Sequence, residues 1–187
     1  MNLKKRLLTA VTLFVFGQLC VAQNASDTQA DIVIYGGTSA GIAAGIQAKR
    51  MGHSVLIIEP SDHVGGLTTG GLGQTDIGNK QVIGGIAREF YQNIREHYEK
   101  DASWDWQKRE NYRDGGQTRT EAHEDAMWTF EPSAASTVMQ QMLDEAGLSV
   151  VTGKRLDRGG SGVKKNGARI QSFRTEDGTV YSGEIFI

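Results

Sequence analysis

The stretch Gly36-Gly37-Thr38-Ser39-Ala40-Gly41 follows a short β-branched run, Asp31-Ile32-Val33-Ile34-Tyr35, and is the part of the chain best suited to holding a phosphate. A strand-turn-helix that cradles a dinucleotide uses glycine at three places. The first makes the tight turn, the second lets backbone approach the pyrophosphate, and the third lets the helix lie close to the strand. Gly36 and Gly41 hold the outer two places, and Thr38 stands where the middle glycine is expected. Gly37 can supply the flexible turn instead, while the Thr38 and Ser39 hydroxyls and the first helix amides are expected to face phosphate. Gly45, one turn beyond Gly41, extends the bare helix face. Glu59 closes the next apolar run 23 residues after Gly36, where an acid can accept hydrogen bonds from ribose hydroxyls. An acid there also argues against a 2′-phosphate. A glycine turn alone is often a packing device; strand, turn, helix and acid in this order point to a dinucleotide.

Other residues offer weaker chemistry. His63 precedes a second Gly-Gly pair and could approach a bound ligand, but a solvated loop histidine is the commoner outcome. His123 with Glu121, Glu124 and Asp125 has metal-ligand composition without metal-ligand spacing, so no metal is expected. Trp104, Trp106, Tyr112 and Trp128 could form a stacking wall for a sugar or other flat substrate. Burial is the more frequent fate of large aromatics. No residue stands out as a catalytic base.

The elements that must position these groups follow from periodicity. Asp31 to Tyr35 and Ser54 to Glu59 read as buried strands around a helix from Ser39 to Arg50, a βαβ unit of about 30 residues. Gly65 to Gly85 reads as a glycine-rich loop. Ile86, Phe90 and Ile94 then mark an amphipathic helix reaching about Lys100. Residues 101–130 lack a clean period and are expected to be an insertion or lid. Pro132 suits the first position of a helix ending at Gly147, followed by a strand from Leu148 to Thr152. Asn166-Gly167 and Asp177-Gly178 separate three β-prone runs, Gly162 to Lys165, Ala168 to Arg174 and Thr179 to Ile187, the pattern of an antiparallel meander. The sequence stops inside the apolar run Ile185-Phe186-Ile187, so a fragment is expected.

Bulk properties set the setting. Glycine makes up 24 of 187 residues, about twice the average share, without a collagen-like period. Lys4, Lys5 and Arg6, the apolar run Leu7 to Phe16 and Cys20-Val21-Ala22 form a three-part secretory signal over residues 1–22, too short to span a bilayer. Residues 23–30 read as a linker. Without the signal, 17 basic residues face 22 acidic ones, a formal charge of −5, which disfavours nucleic acid as a partner. The single cysteine, Cys20, would leave with the signal, so disulfides, thiol catalysis and cysteine-bound clusters are excluded from the remainder. A secreted or periplasmic protein with no stable membrane insertion is expected, and redox chemistry would have to come from a cofactor.

Asp31 to Glu59, followed by Gly65-Gly66-Leu67-Thr68-Thr69-Gly70-Gly71-Leu72-Gly73, resembles the FAD-dependent oxidoreductase family of the glutathione-reductase-like flavoproteins. Gly84-Gly85-Ile86-Ala87-Arg88-Glu89-Phe90 and Phe130-Glu131-Pro132 resemble later segments of the same family. The resemblance implies an α/β, Rossmann-like FAD/NAD(P)-binding domain over residues 31–187, a parallel sheet plus an antiparallel meander, incomplete at its carboxyl end. It implies FAD as cofactor, with Gly65, Gly66, Leu67, Thr68 and Thr69 closing over the nucleotide and Leu156 near the adenine. Leu156 is equally well an ordinary core residue. The implied activity is flavin-dependent oxidation of a small-molecule substrate. A nicotinamide-dependent dehydrogenase would share the first βαβ unit but not need the second glycine segment, and a secreted nucleotide-binding module without chemistry is the other alternative.

Overall fold

The computed structural model describes residues 28–121 and 123–187. The expected signal, residues 1–22, lies outside the described residues. Six strands form one sheet: β1 (Gln29–Tyr35), β2 (Val55–Ile58), β3 (Val150–Val151), β4 (Val163–Asn166), β5 (Arg169–Arg174) and β6 (Val180–Phe186). Their spatial order is β3-β2-β1-β6-β5-β4. The first four in that order are parallel, and β6, β5 and β4 continue the sheet as an antiparallel meander. The fold is therefore the expected Rossmann-like α/β sheet with its meander.

β1 is central because it is apolar on both faces. Ile32 and Ile34 point into the cluster that the helices cover, while Val33 packs on the other face with Phe173 and Tyr181. Alternation puts neighbouring residues on opposite sides, so a continuous apolar run is what a strand covered on both faces requires. Ile57 and Ile58 of β2 divide in the same way.

The helix α1 (Ser39–Arg50) has the expected bounds. It lies on β1 and β2, and Gly45 makes that closeness possible, since a Cβ there would come within 2.7 Å of Ile57 Cδ1. The helix α3 (Gly85–Glu99) buries Phe90, Ile94 and Tyr98, which recur every fourth residue. These meet Val138, Met142 and Leu143 of α4 (Pro132–Glu145), which begins with Pro132 at its first turn as expected.

Four expectations are corrected. Gln29 and Ala30 are not linker but strand, pairing in parallel with Ser182 and Gly183 of β6. That partner is some 150 residues away, so local composition cannot reveal it. The Gly65–Gly85 segment is not wholly loop: it holds a one-turn helix, α2 (Gly66–Thr69), and a 3-10 turn at Lys80–Val82. The strand before the meander is shorter than expected, Val150–Val151 rather than Leu148 to Thr152. Residues 101–130 carry three separate 3-10 turns, but Ala126, Met127, Trp128 and Phe130 are buried and belong to the core, not to a lid.

Candidate functional site

The glycine turn sits where β1 ends and α1 begins. The Gly36 amide donates to the Ile58 carbonyl at 2.7 Å, closing the turn onto β2. A Cβ on Gly41 would stand 2.1 Å from the Gly36 carbonyl oxygen, well inside contact distance, so only glycine fits there. Thr38 is the helix N-cap: its Oγ1 accepts from the Gly41 amide at 3.2 Å. The Thr38 hydroxyl thus accepts from its own helix, and its O–H remains a donor. The first amides of α1, at Ser39 and Ala40, have no partner inside the helix, and both residues are exposed. Together with the helix dipole they present a surface suited to an anion.

Glu59 is only 7% exposed. Its Oε2 accepts from the Gly37 amide at 2.8 Å, and its Oε1 accepts from the Ser61 amide at 2.8 Å and the Ser61 hydroxyl at 2.6 Å. Burial acts to raise the Glu59 carboxyl, but the bonds from Ser61 and Gly37 outweigh it and hold the group below the usual carboxylate range. An ionised carboxylate has about four acceptor positions and three are taken, so one remains on Oε2. Ser61 and its role escaped the sequence reading. A serine two residues after a carboxylate, across Pro60, is the local signal that could have found it.

The second glycine segment is docked on the first. The Gly65 amide donates to the Gly37 carbonyl at 2.7 Å, and Thr38 and Gly65 form a parallel bridge. Gly65 has φ +99°, and a Cβ there would meet the Thr69 side chain at 2.3 Å, so its backbone and its surroundings both demand glycine. His63 is exposed yet bonded: its Nε2 lies 3.0 Å from both the Gly66 carbonyl oxygen and Thr69 Oγ1. Thr69 is buried and donates to the Val64 carbonyl at 2.6 Å. These bonds clamp α2 in place, while Leu67 is 73% exposed and Thr68 half-buried. The structure thus brings Gly36 to Gly41, Glu59 and Gly65 to Thr69 together.

Leu156 lies across the sheet edge from this cluster, joined to it through Tyr35. The Leu156 amide donates to Tyr35 Oη at 2.8 Å, and the Tyr35 ring meets Phe173 edge-on at 5.4 Å. A cavity of about 450 Å³ opens here, lined by Tyr35, Pro60, Ser61 and Leu156 among others. Leu156 also packs against the Phe173 cluster, so it serves the core and the cavity at once. Asp157, held by Arg174, fixes the chain just beyond it.

Turn, amides, acid and cavity run in sequence along the carboxyl ends of parallel strands, the place where open α/β sheets take ligands. The acids near His123 are committed elsewhere, Glu124 to Lys80 at 2.7 Å and Asp125 to Arg88. Among the described residues no group of three or more His, Cys, Asp or Glu is placed to hold a metal ion. No helix among them is long and apolar enough to cross a membrane.

The aromatic residues do not form one wall. Trp128 is fully buried beside Tyr91, Trp106 is 84% exposed, and only Trp104 and Tyr112 stand together, 5.4 Å apart. Tyr98 backs Trp104, and burial pushes its phenol up to about 12 against the bond it accepts from the Glu131 amide, which lowers it. Burial, then Asp114, raises Tyr112 as well.

This arrangement defines a dinucleotide-binding domain of the Rossmann type. Residues 31–187 match the family model described as FAD dependent oxidoreductase. The chain belongs to the FAD-dependent oxidoreductase family, and FAD is its cofactor. No curated protein matches it by sequence. Among solved structures it is similar to an L-amino acid deaminase from Proteus vulgaris, with 17% identity and a TM-score of 0.52 over 85% of this chain and 46% of that one. It is also similar to an oxidized steroid monooxygenase bound to NADP, with 16% identity and a TM-score of 0.50 over 85% of this chain and 25% of the other. At these identities the likeness is one of fold. The chain spans from a quarter to about half the length of these structures.

Proposed function

We propose that this chain is the FAD-binding portion of an exported oxidoreductase acting on a small-molecule substrate. When bound, FAD supplies a flavin ring that takes up a hydride and passes electrons onward to oxygen or another acceptor. The protein's own residues bind and orient. The Ser39 and Ala40 amides at the start of α1 face the pyrophosphate, and the bare Gly36–Gly41 contact holds that helix end in place. Glu59, fixed by Ser61 and Gly37, offers its remaining acceptor position to the ribose. Gly65 to Thr69, clamped by His63, form the second wall of the nucleotide site, and Leu156 borders the adenine.

The observation that carries this reading is the docking of the Gly65 segment on the Gly36 turn by the 2.7 Å bond from the Gly65 amide to the Gly37 carbonyl. A nicotinamide site built on the first βαβ unit has no need of that second layer. Visible absorbance of the purified whole protein is the test. A flavin spectrum is expected, released on denaturation as FAD; a colourless, folded protein would refute the reading. Export is tested by amino-terminal sequencing of protein recovered outside the cytoplasm, with loss of about the first 22 residues expected. Retention of Lys4 to Arg6 would refute export.

A further inference from the structure

Besides Leu156, the cavity of about 450 Å³ is lined by Tyr35, Pro60 and Ser61 and by three charged residues, Arg155, Arg158 and Glu176. All three charged residues are exposed. The chain around them is pinned along the turn between β5 and β6. Leu156 and Thr175 form an antiparallel bridge, the Glu176 amide donates to the Arg155 carbonyl at 2.8 Å, and the Asp157 amide donates to the Arg174 carbonyl at 2.9 Å.

This register sets opposite charges across from one another in three pairs: Lys154 and Asp177, Arg155 and Glu176, Asp157 and Arg174. Cross-strand partners of opposite charge ordinarily close on each other. Lys154 is bonded to Asp177, and Arg174 lies 2.5 Å from Asp157. The middle pair stays open. Among the described residues neither Arg155 nor Glu176 takes part in an ion pair, and this open pair is the one on the cavity lining.

The chemistry of the open pair restricts what lies between. A guanidinium only donates and a carboxylate only accepts, so a ligand edge that sets an acceptor beside a donor satisfies both. A phosphate or a carboxylate would leave Glu176 facing like charge. Arg158 makes two cations against one acid on the lining, which disfavours a cationic occupant. Tyr35, Pro60 and Leu156 add apolar surface for a flat ring. Adenine has such an edge, with a ring nitrogen that accepts beside an exocyclic amine that donates.

On the reading above that FAD binds this chain, we propose that Arg155 and Glu176 read the base: the Arg155 guanidinium donates to a ring nitrogen of the adenine, and the Glu176 carboxylate accepts from its exocyclic amine.

The test is titration of the whole apoprotein, followed by flavin fluorescence, with three ligands: FAD, FMN, which lacks the adenosine, and flavin hypoxanthine dinucleotide, in which a carbonyl oxygen replaces the exocyclic amine. The unaltered protein is expected to bind the hypoxanthine dinucleotide about tenfold more weakly than FAD, because its carbonyl sets an acceptor against Glu176. Glu176→Ala should weaken FAD binding about tenfold and bring the two dinucleotides to nearly equal affinity. Arg155→Ala should weaken FAD binding by a similar factor. FMN affinity should be the same in every variant, and Lys165→Ala, which removes an exposed charge on β4, should change nothing. Circular dichroism and Tm verify that each variant is folded, and the comparison of dinucleotides on the unaltered protein needs no variant at all. Equal affinity of the unaltered protein for the two dinucleotides, or unchanged FAD affinity in folded Arg155→Ala and Glu176→Ala proteins, would overturn the proposal and leave FAD binding standing. An unaltered protein that binds no FAD would overturn both.

Discussion

The Glu59 carboxylate accepts the Gly37 amide at 2.8 Å across 22 residues of sequence, so the acid that ends β2 also fixes the turn that ends β1. Its other oxygen is held by Ser61. The same side chain therefore holds both the glycine turn and the Ser61 segment, and a change there acts on both.

Replacing Glu59 by glutamine is expected to weaken FAD binding about tenfold or more, since a bond to a charged group is worth roughly 1.5–3 kcal/mol. It should also cost stability, because the amide NH2 must face either the Gly37 or the Ser61 amide, donor against donor. The pH dependence has a definite sign. Glu59 is held below the ordinary carboxylate range, so its contribution is fully present above the unfolded value of about 4.3 and is lost as pH falls through the folded one. The stability advantage of the unaltered protein over Glu59→Gln should shrink over that interval. Apoprotein titration with FAD and urea unfolding at several pH values check both; equal affinity in a folded variant would remove Glu59 from the ribose.

What was legible in the sequence was what is local. The α1 bounds, the Pro132 start of α4 and the meander turns follow from helix caps, proline geometry and Asn-Gly or Asp-Gly pairs, all readable within a few residues. That Gly36 to Gly41, Glu59 and Gly65 to Thr69 are neighbours was legible because one strand, one helix turn and one returning strand fix their spacing. The rest was hidden by distance. Gln29 becomes strand through a partner at Ser182, and Tyr35 reaches an amide 121 residues away. That the Thr38 hydroxyl caps α1 is not visible in sequence alone, because a cap and a phosphate donor use the same side chain.

The end of the 101–130 stretch is core, and mutation should show it. Trp128→Ala removes a fully buried indole and is expected to cost about 3–5 kcal/mol. Trp106→Ala, at a residue 84% exposed, should stay within about 0.5 kcal/mol. Chemical unfolding of the two variants side by side is the measurement. Comparable small losses would return Trp128 to a mobile lid.

Tyr35→Phe keeps the ring on Phe173 and removes only the acceptor for the Leu156 amide. A loss of about 0.5–1.5 kcal/mol is expected, a fall in Tm of roughly 2–4 °C per kcal/mol for a domain of this size. If Leu156 borders the adenine, FAD affinity should fall with it, because the wall of the cavity loses its anchor. Unchanged Tm with unchanged affinity would mean that this long-range bond positions nothing.

The Gly41 contact gives the most direct test of the nucleotide site. A Cβ at Gly41 would lie 2.1 Å from the Gly36 carbonyl oxygen, a backbone atom that cannot swing aside as a side chain could. Even Gly41→Ala must push α1 away from β1, and Gly41→Val more so, carrying the Ser39 and Ala40 amides off the pyrophosphate. Overpacking of this kind typically costs about 1–3 kcal/mol, which a folded domain can survive while its binding site does not. Gly78→Ala is the matched control, since a Cβ there meets nothing within 4 Å. Flavin content after purification and FAD titration of the apoproteins should separate the three. The control should keep full binding, Gly41→Ala should bind weakly and Gly41→Val not at all. A folded Gly41→Val protein with normal FAD content would mean that the pyrophosphate is held somewhere other than the start of α1.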